Sequence, residues 1–319
     1  MIKKTAFLKA PTHKVKDILE AVELAKALRK KSPKKRHIIE IAQSSVIGEV
    51  SFPFSNFYLK GDHSWITSTS YAKQLDEQGK EKTTWKTAAL KVTGSHNIFE
   101  GIHVENSARH PEIKGQEVAL GVYGDDNLFI GCHLVSTQDT LFAGPLPDDL
   151  MTRYLGFLPE EERYFEGLAR NYFANCVIEG TVDFVFGAGQ AVFYKDTFIT
   201  LFDSRKKTWV TAPSHSLKDD FGYLFYKCSF ESDGALDDST YLSRPWRDYG
   251  KAVFDECSYG PHIKKEGFDD WNDEGRYKTA RYLEYPLLPG RVSWLKNKEG
   301  DEIEKKYKKA AKDVKHAIR

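Results

Sequence analysis

Two aspartates are the residues in this 319-residue chain whose spacing most suggests chemistry. Asp139 lies seven residues after Cys132, and Asp183 lies seven after Cys176. The segments that hold them, Cys132-His-Leu-Val-Ser-Thr-Gln-Asp139-Thr-Leu-Phe142 and Cys176-Val-Ile-Glu-Gly-Thr-Val-Asp183-Phe-Val-Phe186, read as copies of one unit. If the copies stack as successive coils, the aspartates become neighbours. Two close carboxylates resist ionising together, so their surroundings can leave one protonated and the other charged, an acid beside a nucleophile or base. A lone aspartate in a turn more often caps the backbone; the shared spacing is what favours chemistry here. Gln138 precedes the first aspartate and Gln116 lies one strand upstream in Gly115-Gln-Glu-Val-Ala-Leu120. Amides are neutral donors suited to a developing oxyanion. In Tyr241-Leu-Ser-Arg-Pro-Trp246, Arg244 offers a guanidinium that holds a carboxylate ionised, and Trp246 a flat face for a sugar ring.

These groups need a repeating scaffold to meet, and the chain shows one. Five segments align as Phe99-x-x-Ile102-x-Val104, Phe129-x-x-Cys132-x-Leu134, Phe173-x-x-Cys176-x-Ile178, Phe225-x-x-Cys228-x-Phe230 and Phe254-x-x-Cys257-x-Tyr259, with gaps of 30, 44, 52 and 29 residues. A unit near 30 fits the short gaps, and the long ones hold inserted loops or an unrecognised coil. Short strands in one repeating register predict an all-β fold, a right-handed parallel β-helix with coils about 4.8 Å apart. A propeller blade would need four strands, where the shorter units leave room for about three. All four cysteines share one register position, which makes them an internal ladder of small buried side chains. They form no C-x-x-C pair, and a reducing compartment would keep them as thiols.

The remaining segments read as accessories of a single domain over residues 1–319. Residues 14–31 form an amphipathic helix that caps one end of the core. Residues 143–168 are a loop insertion beside the Asp139 coil, long enough to form a functional wall. A second, charged insertion at 262–278 contains Trp271, and the Lys-rich tail at 299–319 is a solvated helix. With 47 basic and 46 acidic residues, the net charge of +1 gives no general field for nucleic acid or a membrane surface. No run approaches the ~20 apolar residues of a membrane span, nor does the start resemble a signal peptide, so a cytoplasmic location is expected unless a leader has been removed. A G-x-S-x-G elbow, an H-E-x-x-H pair and a phosphate loop are all missing, and Gly187-Ala-Gly189 lacks the third glycine of a dinucleotide motif.

Taken in order, Gln-Glu-Val-Ala-Leu (116–120), Gln-Asp-Thr-Leu (138–141), Gly-Thr-Val-Asp-Phe-Val-Phe-Gly (180–187) and Arg-Pro-Trp (244–246) closely resemble the signatures of the pectin methylesterases, β-helical carbohydrate esterases. The resemblance runs over roughly residues 15 to 295 and includes a closing Arg291-Val-Ser-Trp294. It implies cofactor-free, metal-free hydrolysis by water of methyl-esterified galacturonate, in pectin or oligogalacturonides, by a monomer. Mapped by motif, it implies that Asp183 attacks the ester carbonyl and that Gln116 and Gln138 hold the oxyanion. Asp139 protonates departing methanol and then activates water, Arg244 orients Asp183, and Trp246, Phe142 and Phe184 face the sugar. Departures are Ser243 before Arg-Pro-Trp, where the family has Gly, and Gly187-Ala-Gly189, without the usual Asn. They bear on substrate length and subsite preference, and an imported short oligomer is an expected alternative to wall pectin. A lyase or glycosidase on the same solenoid, or a pectin-binding protein without turnover, are the other readings.

Overall fold

The computed structural model describes residues 1–145, 169–219, 221–272, 274–297 and 301–319, the side chains of the last segment from 305 onward. Among the described residues, every ladder between named strands is parallel, and the strands fall into a sixteen-stranded and a seven-stranded sheet that share one interior. One coil consists of Asn127–Ile130, His133–Val135 and Leu141–Ala143, and the next of Arg170–Ala174, Val177–Gly180 and Val182–Gly187. Three strands per coil agree with a β-helix. His133 pairs with Val177, and Leu141 with Val185, so no strand lies between the two coils. The 44-residue gap is therefore an insertion; residues 146–168, most of the expected loop, lie outside the described residues.

The interior is built from stacked equivalents. Phe99, Phe129, Phe173, Phe193, Phe225 and Phe254 form one column, with ring centroids 4.6–5.0 Å apart and planes within 17° of parallel. Beside it run the cysteines, all free, each thiol donating to the carbonyl of the phenylalanine one coil back: Cys132 to Phe99, Cys176 to Phe129, Cys228 to Phe193 and Cys257 to Phe225, at 3.4–3.6 Å. The 52-residue gap hides a full coil, Gln190–Tyr194, Thr197–Leu201 and Thr208–Pro213. Its motif is Phe193-x-x-Asp196-x-Phe198, with an aspartate in the thiol position. Asp196 is wholly buried and accepts the Cys176 amide at 2.6 Å, and burial pushes its carboxyl well above the ordinary range, which favours the uncharged form in the ladder.

Gly187 and Gly189 serve the stacking. Gly187 has φ +116°, and a Cβ there would sit 2.2 Å from the Ala143 carbonyl; one on Gly189 would sit 2.4 Å from that of Gly144. Only glycine lets the coils approach at this corner.

The two terminal helices depart in detail from expectation. The N-terminal helix is Ile18–Lys31, and Thr12–Val15 ahead of it is a strand paired with His37–Ile41. Asp17 caps the helix by accepting the Glu20 amide at 2.9 Å, while Glu20 reaches back to the Lys16 amide at 2.7 Å. Ile18, Ala21 and Ala25 are buried against the first coils. The C-terminal helix Asp301–Ala317 is a correction to the solvated tail. Tyr307, Ala311 and Val314 are buried against Val192, Leu224 and Val253 of the large sheet, and the Tyr307 hydroxyl donates to Phe221 O at 3.0 Å. Its lysines line the outer face, while spacings of three and four residues give it an apolar stripe. No described helix is long and apolar enough to cross a membrane.

Candidate active site

The register sets the two aspartates side by side. Leu141 pairs with Val185 and Gln138 bridges to Val182, so a constant offset of 44 residues carries Asp139 onto Asp183 one coil away. Each stands at a left-handed kink, φ 66° for Asp139 and 54° for Asp183, where the chain turns into a strand of the smaller sheet. The Asp139 amide donates to Val182 O at 2.9 Å, tying one kink to the next.

Their surroundings differ. Arg244 grips Asp183 with a two-point fork, Nε to Oδ1 at 2.9 Å and Nη2 to Oδ2 at 2.7 Å. Its guanidinium lies between two indoles, 3.8 Å from the Trp209 centroid and 4.2 Å from that of Trp271, so the fork cannot easily swing away. Among the described residues, no such fork holds Asp139. Burial pushes its carboxyl well above the ordinary range and the Asp183 charge adds to this, against an opposing pull from Arg244. The two members of the pair are thus unlike, Asp183 gripped by a cation and Asp139 with its carboxyl pushed upward by burial.

Both face a cavity of about 300 Å³. Gln116, Gln138, Arg244 and Trp246 line it as well, so every polar candidate from the sequence comes together. The two expected phenylalanine contacts do not. Phe184 is wholly buried in the interior of the helix, and Phe186 lines the cavity in its place. The kink at Asp183 and the register irregularity between Val182 and Val185 shift the alternation, which moves the outward position to Phe186. Phe142 points outward but sits beneath Trp85, Tyr123 and Phe186, a support for the cavity wall that does not line it. Trp271, Trp85, Thr84 and Ala212 also line it; neither tryptophan belongs to a periodic motif, and Trp271 shares its charged insertion with Phe268 and Tyr277, so its type alone does not mark it.

A further carboxyl stands behind the site. Glu117 is wholly buried, accepts the Arg109 amide at 2.5 Å and the Thr137 hydroxyl, and is pushed up to about 7, chiefly by burial. The folded chain therefore keeps this proton between the ordinary value of 4.5 and about 7, where the unfolded chain releases it. Stability falls as pH rises through that window, by about 3 kcal/mol. Glu117→Gln should flatten this slope, so the stability lost by wild type between pH 5 and pH 8 in urea titrations shrinks in the variant; an unchanged slope would place the titration elsewhere.

Comparison with known proteins decides the family. The pectinesterase family profile matches residues 8–145 and 162–305. The chain belongs to the pectinesterase family. Similar curated pectinesterases include pectinesterase QRT1 of Arabidopsis thaliana, 28% identical over 276 residues, or 82% of this chain and 65% of that protein. Probable pectinesterase 8 of the same plant is 27% identical over 263 residues, covering 79% and 59%. The chain thus spans somewhat less than two thirds of these relatives. Among solved structures, carrot pectin methylesterase superposes with a TM-score of 0.69 at 24% identity over 90% of this chain and 86% of that one. A pectin methylesterase in complex with a hexasaccharide gives 0.68 at 19% identity, over 92% and 96%. These folds are the same pectinesterase β-helix, and the gap in the family match, 146–161, falls within the expected insertion.

Proposed function

We propose that this pectinesterase removes methyl groups from methyl-esterified galacturonate through an acyl-enzyme on Asp183. The observation that carries this reading is the asymmetry of the pair: adjacent aspartates in register, one forked by Arg244 and the other wholly buried, with no such fork among the described residues. Asp183, ionised and aimed by its fork, attacks the ester carbonyl, and the amides of Gln116 and Gln138 receive the developing oxyanion. Asp139, protonated, gives its proton to the departing methoxide. The carboxylate this leaves then takes a proton from the water that cleaves the acyl-enzyme, which returns both groups to their starting states. Trp246 and Phe186 offer the apolar faces on which a pyranose ring can rest. A long substrate is supported by the hexasaccharide bound to the similar fold.

Methanol release across methylated galacturonides of increasing length, with the product chains measured in parallel, tests the assignment. Methanol without new reducing ends or unsaturated products is the expected result. Chain cleavage would point to a glycosidase or lyase, and binding without turnover on every oligomer would reduce the protein to a pectin binder.

A further inference from the structure

An amide has two unlike ends, and an oxyanion site needs only one of them. Were Gln138 to turn its oxygen to the cavity, it would repel the charge it is meant to stabilise. The structure contains a device that fixes the choice. Arg205 Nη1 donates to Gln138 Oε1 at 3.2 Å. A guanidinium carries donors only, so it can meet only the oxygen end of the amide, which leaves the NH₂ end free for the cavity. Arg205 is itself locked by Asp203. The Arg205 amide and Nε donate to Oδ1 at 2.8 and 2.9 Å, and Nη2 to Oδ2 at 2.6 Å. The Asp203 side chain is 5% exposed, so this anchor is firm although Arg205 reaches solvent.

We infer that Arg205 is a positioning residue of the esterase reaction, holding the Gln138 amide with its N–H groups toward the oxyanion and placing a positive charge near Asp139. The inference rests on the esterase reading above. Arg205 belongs to none of the signature motifs; it lies after the strand Thr197–Leu201, in the turn that leads to Thr208–Pro213, and reaches across from that coil to the first aspartate's coil. Its charge is also among the influences that oppose the rise at Asp139. Removing it should therefore raise the Asp139 carboxyl further and carry the alkaline limb of the rate profile to higher pH.

The test is a cycle on the full chain, with methanol release as readout. Arg205→Met is expected to lower kcat by roughly 10- to 100-fold with KM within about twofold, because the amide serves the transition state more than the bound ester. In a Gln138→Ala background the same substitution should leave kcat nearly unchanged, since no amide remains to be oriented. Arg205→Lys, which keeps charge without the fork, should lower kcat less and leave the alkaline limb in place, and it carries the test if Arg205→Met does not fold. An unaltered kcat in Arg205→Met, or an equal loss with and without Gln138, overturns the inference. A wild-type protein that releases no methanol from any methylated galacturonide refutes the esterase reading itself, a result distinct from either.

Discussion

Asp183→Asn is expected to reduce methanol release by at least about a thousandfold, with the far-ultraviolet spectrum close to wild type and a lowered thermal midpoint, because Arg244 loses its counter-charge. Asparagine keeps the shape and one acceptor for Arg244 but is no nucleophile, so the covalent route closes while the other groups stay in place. Asp139→Asn is informative beside it. Asparagine cannot protonate the leaving methoxide or activate water, yet Asp183 remains competent to attack. Whatever acylation survives should then leave acyl-enzyme in place, visible by mass spectrometry as a covalent galacturonyl adduct. The adduct should be absent from Asp183→Asn at all times of incubation. An Asp183→Asn variant with near-wild-type turnover, or an adduct on that variant, would move the nucleophile elsewhere.

The second large effect is expected at Arg244. Arg244→Gln leaves the Asp183 carboxylate buried without its counter-charge; side-chain exposures of 18% for Arg244 and 12% for Asp183 leave water little room to compensate. Removing one member of such a pair costs about 3 kcal/mol or more, so both the thermal midpoint and the rate should fall. Turnover should drop by about two to three orders of magnitude, as the carboxylate loses both its charge partner and its fixed plane. Arg244→Lys should recover part of the stability and less of the rate, since a single ammonium cannot reproduce the fork or stack between Trp209 and Trp271. Stability lost without loss of rate would mean that Arg244 only holds the coils together.

Much of this architecture was legible in the chain because a β-helix writes its register into the sequence. The equal step from Cys132 to Asp139 and from Cys176 to Asp183 gives two carboxylates one register position on adjacent coils, and the strand pairs joining those coils agree with it. The coil at Phe193 escaped notice for a chemical reason. Its ladder position holds Asp196, a residue that reads as solvent-facing, although it is wholly buried and burial pushes its carboxyl upward, toward the uncharged form. Phe184 rests on the resemblance alone; the pleat that sets Asp183 toward the cavity turns its neighbour into the core, and the irregularity between Val182 and Val185 brings Phe186 outward instead. The docked C-terminal helix was obscured by its lysines, which hide a stripe of Tyr307, Ala311 and Val314. Arg205 and Trp271 reach the site from loops, and loop geometry leaves no periodic trace.

The column of stacked phenylalanines has a consequence for how such an enzyme can diversify. The separation of the reacting groups is set by hydrogen bonds and ring contacts between neighbouring coils, so it does not depend on how much chain lies between them. Chain added or removed between Pro145 and Ala169 therefore leaves Asp139 and Asp183 at their spacing. The length of a connection and the geometry of the reacting pair are in this sense inherited separately, so connections of different length exchanged at this junction should leave the two carboxylates in register.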